Sequence, residues 1–207
     1  LITSSAASDV YKRQDTACQL TDIKNSKKAS KTDGSKVKSI RGIPKLVDAN
    51  FAGTNKSYEC TLILCEGDSA KAGIISGLTK QDRDFIGVYP MKGKMINVRG
   101  ENVKRINENS EFIDIKRILG LENNKVYNSV STLRYGKVLF MTDQDLDGTH
   151  IKGLGLNMFE CIWPSLLKID GFIGFMNTPI LKATKNKKTI EFYNDGEYEE
   201  WKKENDF

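Results

Sequence analysis

Lys137-Val138-Leu139-Phe140-Met141-Thr142-Asp143-Gln144-Asp145-Leu146-Asp147-Gly148 is the stretch on which the fold turns. Its first six residues are mostly apolar and of strand length. The next six form a turn in which aspartates alternate. A long apolar stretch over 149–167 then has the length of a helix. The same grammar occurs earlier in the chain. Residues 58–65 read as a buried strand that stops at Glu66-Gly67-Asp68-Ser69, where Asp68 or Ser69 can cap a helix over 70–78. A third apolar run, 85–89, is closed by Pro90, and 102–121 carries apolar residues mostly at helical spacing. Strands alternating with helices predict an α/β domain with a mostly parallel sheet flanked by helices.

Composition narrows the class. Of 207 residues, 39% are hydrophobic and 29% charged, which is ordinary for a globular protein. The longest apolar runs fall far short of the roughly 20 residues a membrane helix needs, so no membrane partner is expected. Cys18, Cys60, Cys65 and Cys161 include no CxxC pair, and His150 is the sole histidine, which argues against a structural zinc site. The net charge of +5 is local. Lys24, Lys27, Lys28, Lys31, Lys36, Lys38, Arg41 and Lys45 are opposed within their stretch only by Asp33, while elsewhere 24 basic residues face 26 acidic ones. Such a stretch suits a polyanion such as DNA, and equally a solvated linker. Residues 1–14 fit nothing that follows and are read as unassigned, either disordered or foreign, and 15–55 as a basic linker.

Both acidic turns follow strands, and loops at the carboxyl ends of strands line the crevice of an open α/β sheet. If the two strands are neighbours, Glu66, Asp143, Asp145 and Asp147 converge. Two carboxylates about 4 Å apart repel by roughly 4 kcal/mol at an effective dielectric near 20. A group of four therefore holds a proton or a cation. All-oxygen ligation favours Mg²⁺, with Mn²⁺ or Ca²⁺ able to substitute, over zinc. An EF-hand would need glutamate at its twelfth position, which here is Leu154, and a helix where 138–141 reads as a strand. Asp145-Leu146-Asp147-Gly148-Thr149 looks like the nucleophile motif of haloacid-dehalogenase-type phosphatases. In those enzymes the aspartate follows the strand directly, whereas Asp143 and Gln144 intervene here, and the 58 residues after Thr149 lack the paired aspartates needed.

Several segments together resemble the Toprim region of type IIA DNA topoisomerases of the eukaryotic and viral kind. They are EGDSA at 66–70, PMKGKMINV at 90–98 and MTDQDLDGTHIKGL at 141–154. KLVDANFAGT at 45–54, TLRYG at 132–136, GFIGFMNTPI at 171–180 and TIEFYNDGEYEEW at 189–201 are similar to the flanking segments. The resemblance implies a Rossmann-like Toprim metal-binding domain over 56–175, with 176–207 starting the connection to a DNA-cleavage core. It implies an ATP-dependent enzyme that cuts both strands of one duplex, passes another through and reseals the break. Glu66 would be the general acid/base and a metal ligand. Asp143 and Asp145 would hold metal, with Asp147 in support.

Lys92 and Lys94 resemble the family's basic PLRGK element, and with His150 they would contact DNA. Met91 and Lys92 replace the usual leucine and arginine, so a bidentate arginine–phosphate contact is not available there. His150 and Ser69 each keep a packing or capping alternative. The nucleophilic tyrosine and the ATPase module are expected outside this chain, so ATP would bind only the full-length protein. That protein would be a homodimer on double-stranded DNA, placed in the nucleus of a eukaryote or in the cytoplasmic factory of a large DNA virus. A free-standing Toprim module, or a nuclease- or primase-like enzyme, is the alternative.

Overall fold

The structure is a computed structural model that describes residues 30–176, 179–185 and 188–205. Residues 1–29, and with them the first segment, Cys18 and three lysines of the basic stretch, lie outside the described residues. Thr61–Glu66 forms β1, whose inner residues Leu62, Ile63, Leu64 and Cys65 are all buried, as in a strand covered on both faces. It lies between β2 (Ile86–Met91) and β3 (Lys137–Met141), and β4 (Ile173–Met176) completes a sheet in the order β2-β1-β3-β4. Every pairing in it is parallel.

Side chains alternate across β1. Leu62 and Leu64 enter the main core, while Ile63 and Cys65 join Val88 in a smaller cluster on the other face. Helix α1 (Gly67–Gly77) covers the smaller cluster through Ala70, Ile74 and Ile75. A short helix, α2 (Asp82–Phe85), leads into β2. The main core is closed by α4 (Ser110–Leu119), which buries Phe112, Ile115, Ile118 and Leu119, and by α5 (Leu146–Ile162), which buries Ile151, Leu154, Met158 and Phe159. Trp163 stacks on Phe112 with ring centroids 5.8 Å apart and donates from Nε1 to the Glu122 carbonyl. Each such buried side chain contributes about 1.5–3 kcal/mol. The α/β fold expected from the alternation is the one observed.

Several boundaries differ from the sequence reading, each for a local reason. Residues 57–59 form a 3₁₀ turn rather than the start of β1, because Ser57 Oγ donates to the Leu133 carbonyl and fixes the chain there. Pro90 lies inside β2 instead of ending it. Val88 exchanges backbone hydrogen bonds with Val47 on the outer edge, and two residues on Pro90 faces the same way, so its missing N–H costs no bond to β1. The helical stretch 102–121 is two helices, α3 (Val103–Glu108) and α4, broken at Asn109. The Asn109 side chain accepts from the Phe112 N–H and starts the second helix. The last predicted helix begins at Leu146 and stops at Ile162, since the residue before Pro164 is pushed out of the helical region. Beyond the sheet, β5 (Leu181–Lys185) and β6 (Lys188–Phe192) form an antiparallel pair, and α6 (Asp195–Glu204) brings Tyr198 and Trp201 against Phe192.

The described part of the basic stretch, 30–55, is not a loose tether. Ile43, Ala49 and Ala52 are buried in the main core. Arg134, itself fully buried, donates to the carbonyls of Val37 at 2.6 Å and Ile118 at 2.8 Å and pairs with Asp48. Tyr135 donates its hydroxyl to the same Asp48 and accepts from the Ala49 N–H. The adjacent pair Arg134-Tyr135 thus fastens this segment to the end of α4 and the start of β3. Arg134→Ala would leave Asp48 with the Tyr135 hydroxyl but no cation, and would strip a donor from the carbonyls of Val37, Lys38 and Ile118. The expected loss is about 3–5 kcal/mol, read as a lower urea midpoint; an unchanged midpoint would contradict this account.

Candidate metal centre

Leaving β1 the chain turns towards β2, and leaving β3 it turns towards β4, so β1 and β3 flank the topological switch point where open α/β sheets bind ligands. Cys65 is in register with Met141, which sets Glu66 beside the residues that follow β3. Glu66 ends β1, and Gly67 at φ 80° makes the sharp strand-to-helix turn, a conformation that a side chain would strain. Helix α1 therefore starts at Gly67 without a side-chain cap, and the expectation that Asp68 or Ser69 caps it is corrected. Asp68 pairs with Lys45 at 2.6 Å instead.

After β3 the chain folds back tightly. Asp145 Oδ1 accepts from the Gly148 N–H at 2.7 Å and caps α5. Thr142 Oγ1 donates to the Gly148 carbonyl at 3.1 Å. A Cβ at Gly148 would lie 1.9 Å from the Asp143 carbonyl oxygen, so only glycine lets the turn close. Gln144 braces the turn from outside, accepting from Lys152 Nζ at 3.2 Å and donating to the Tyr193 carbonyl at 3.3 Å. Sequence reasoning passed over Gln144, one of whose partners, Tyr193, lies 49 residues along the chain.

The two tips share one electrostatic field. Burial pushes the Glu66 carboxyl above its ordinary value, and the charges of Asp143, Asp145 and Asp147 push it further, against the pull of Lys94. Glu66 Oε2 is buried with no hydrogen-bond partner. Asp143, Asp145, Asp147 and His150 are exposed. Lys94 Nζ meets Asp147 Oδ1 at 2.8 Å and holds that carboxyl below its ordinary value, with a smaller contribution from His150. Lys92 is placed differently. Its N–H donates to Glu111 Oε1 at 2.7 Å, and its charge acts on that buried carboxyl. Glu111 orders the turn after β2, and only the tertiary fold brings it there from 19 residues away.

Among the described residues no three carboxylate, imidazole or thiol groups stand together ready to hold an ion. Asp145 is engaged as a cap and Asp147 with Lys94, which accounts for the open arrangement. The residues nevertheless fit a hard divalent cation. Their donors are all oxygen, their mutual repulsion lacks a counterion of sufficient charge, and Glu66 Oε2 lacks a partner.

The Toprim domain family matches residues 61–177, more than half of the chain and all four strands of the sheet. The chain belongs to the Toprim family. Around this Toprim domain the likeness runs further. Over 189 residues, 91% of this chain, it is 50% identical to DNA topoisomerase 2 of Pisum sativum, of which it covers 13%. It is 50% identical to DNA topoisomerase 2 of Acanthamoeba polyphaga mimivirus over 85% of this chain and 14% of that protein. With human DNA topoisomerase 2-beta the identity is 54% over 81% of this chain and 10% of that protein. The DNA-binding, cleavage and re-ligation domain of Plasmodium falciparum topoisomerase II superposes with a TM-score of 0.75 at 48% identity, over 81% of this chain and 23% of that one. The chain thus spans about one-seventh or less of the curated relatives it matches.

Two outcomes follow from this geometry. Because the Glu66 pKa is raised on folding, its contribution to stability is fully present below the ordinary glutamate value and is lost as pH rises through the folded value. Without metal, Glu66→Gln should therefore resist denaturant better than the wild type at neutral pH, with the difference closing below about pH 4. Equal midpoints at neutral pH would contradict the burial and repulsion described. Gly148→Ala should cost about 1–3 kcal/mol in the same measurement, through the clash with the Asp143 carbonyl.

Proposed function

We propose that this chain supplies the divalent-metal half of the cleavage site of a type II DNA topoisomerase, an enzyme that cuts, passes and reseals double-stranded DNA. One observation carries the reading. Glu66 at the tip of β1 stands in the field of three aspartates at the tip of the neighbouring β3, with a buried oxygen lacking a partner, in a chain half identical to DNA topoisomerase 2.

Toprim domains of topoisomerases bind divalent metal ions. Mg²⁺ suits these donors best, with Mn²⁺ or Ca²⁺ as substitutes, because the carboxylates are hard and leave room for water and phosphate oxygens. Glu66, Asp143 and Asp145 are the proposed ligands, with Asp147 in support. When bound, the ion would stabilise negative charge on the phosphate and on the departing 3′ oxygen. Glu66 is also the proposed general acid/base, giving a proton to the 3′ oxygen as the strand is cut and taking it back on resealing. Lys92, Lys94 and His150 are proposed to contact the DNA backbone, where lysines act as point charges.

In this reading residues 15–55 lead into a Toprim domain over 56–175, and 176–207 lead towards the rest of the cleavage core. ATP and the attacking tyrosine belong to other parts of a homodimeric whole. The proposed location is the nucleus of a eukaryotic host, or a cytoplasmic factory if the source is viral, as the plant and mimivirus relatives suggest in turn. No helix among the described residues is long and apolar enough to cross a membrane.

Calorimetric titration with Mg²⁺ tests the site. Asp143→Ala and Asp145→Ala should each weaken binding at least about tenfold, the scale of losing one charged ligand. Unchanged affinity in both would refute the assignment. Transplanting 30–176 into the pea enzyme should preserve Mg²⁺-dependent relaxation of supercoiled DNA, and Glu66→Gln in that chimera should abolish it.

A further inference from the structure

Lys94 carries an ammonium into the acidic site. Besides its 2.8 Å contact with Asp147, its charge acts on Glu66, so one monovalent cation serves both strand tips. The turn that carries it is pinned on either side. Lys92 N–H is held by Glu111, and Met95 is buried in the main core. Between these anchors Gly93 has φ 130°, and the Lys94 side chain is half exposed, a flexible arm on a fixed base. Next to it is an open cavity of about 380 Å³, which Lys94 lines together with Ile96, Arg105, Glu108 and Asn109. The ammonium thus borders the acidic site on one side and, on the other, a cavity where Arg105 pairs with Glu101 at 3.0 Å and Glu108 also stands.

We propose that Lys94 is a placeholder for the divalent cation: it offsets the acidic site when metal is absent, and metal binding releases it into the neighbouring cavity, where with Arg105 it receives a phosphate. This rests on the metal reading above. A divalent ion and an ammonium compete for the same carboxylates, so Lys94 weakens metal binding while no anion is present. Once released, it joins Arg105, whose charge Glu101 offsets until a phosphate draws on both cations. Metal and phosphate therefore strengthen each other's binding by the same factor.

The test is Mg²⁺ calorimetry on the full 207-residue chain, with Mn²⁺ resonance as a second readout and inorganic phosphate as the anion. Lys94→Met should bind Mg²⁺ roughly threefold to tenfold more tightly than the wild type, the effect of removing one charge close to a divalent ion under surface screening. Lys94→Arg should behave like the wild type. Lys182→Met should leave Mg²⁺ binding unchanged, because that lysine pairs with Glu191 across the β5–β6 hairpin. Phosphate should tighten Mg²⁺ binding in the wild type and much less in Lys94→Met. Affinity in Lys94→Met that is unchanged or lower would overturn the placeholder role and leave the metal site standing. An equal phosphate effect in both proteins would overturn the transfer to the cavity. A wild type that binds no Mg²⁺ would overturn both this inference and the metal reading.

Discussion

Parallel pairing of β1 with β3 places two chain reversals side by side. With Cys65 opposite Met141, the register leaves no slack between Glu66 and the aspartate turn. A slip of one residue would turn Leu62 and Leu64 out of the main core, so burial of those side chains fixes where the carboxylates stand. The hydrophobic effect, which has no interest in charge, thereby supplies most of the force that gathers like charges. The carboxylates thus share one electrostatic field at the ends of two strands that the sheet holds in register.

That concentration is tolerated by distributing the cost. Asp145 spends an oxygen on the Gly148 N–H at the start of α5, where the helix dipole favours a negative group. Asp147 has Lys94. Glu66, the most enclosed of the four, has neither, and its carboxyl responds by holding its proton more tightly. Natural structures break the rule that buried polar atoms are satisfied chiefly where function requires it. Glu66 Oε2 fits that pattern in a domain whose other carboxylates are mostly paired or solvated.

Where residues depend on near neighbours, the sequence was readable. The apolar runs of β1, β2 and β3 and the acidic turns after two of them are local patterns, and the fold class follows from their alternation. The break at Asn109 was also local, since a capping asparagine followed by Phe112 marks a new helix start, and the signal was overridden by the apolar spacing around it. Pro90 misled for a different reason. Whether proline is allowed in a strand depends on which edge its missing N–H faces, and only the pairing of Val47 with Val88 decides that. The difference between Lys92 and Lys94 was equally hidden. They are two residues apart in one basic turn, yet one serves Glu111 and the other Asp147, because distant elements supply the partners.

The basic stretch shows why composition alone misjudges such a segment. Lys36, Lys38, Arg41 and Lys45 make it look like a solvated chain, but buried Ile43, Ala49 and Ala52, the Asp48 carboxylate and its own backbone fix it. Arg134 binds the carbonyls of Val37 and Lys38, and the Gly34 N–H donates to the Leu121 carbonyl. Carbonyls are present whatever the side chains are, so a lysine-rich segment can dock through them, here with Lys36 Nζ adding a bond to the Ser131 carbonyl at 2.6 Å. Lys45, at the end of this stretch, then reaches Asp68 on the turn after β1. Docking thus sets a positive charge at the first turn of α1, close in sequence to Glu66 yet paired with Asp68, so it balances a carboxylate outside the four-residue site rather than one within it.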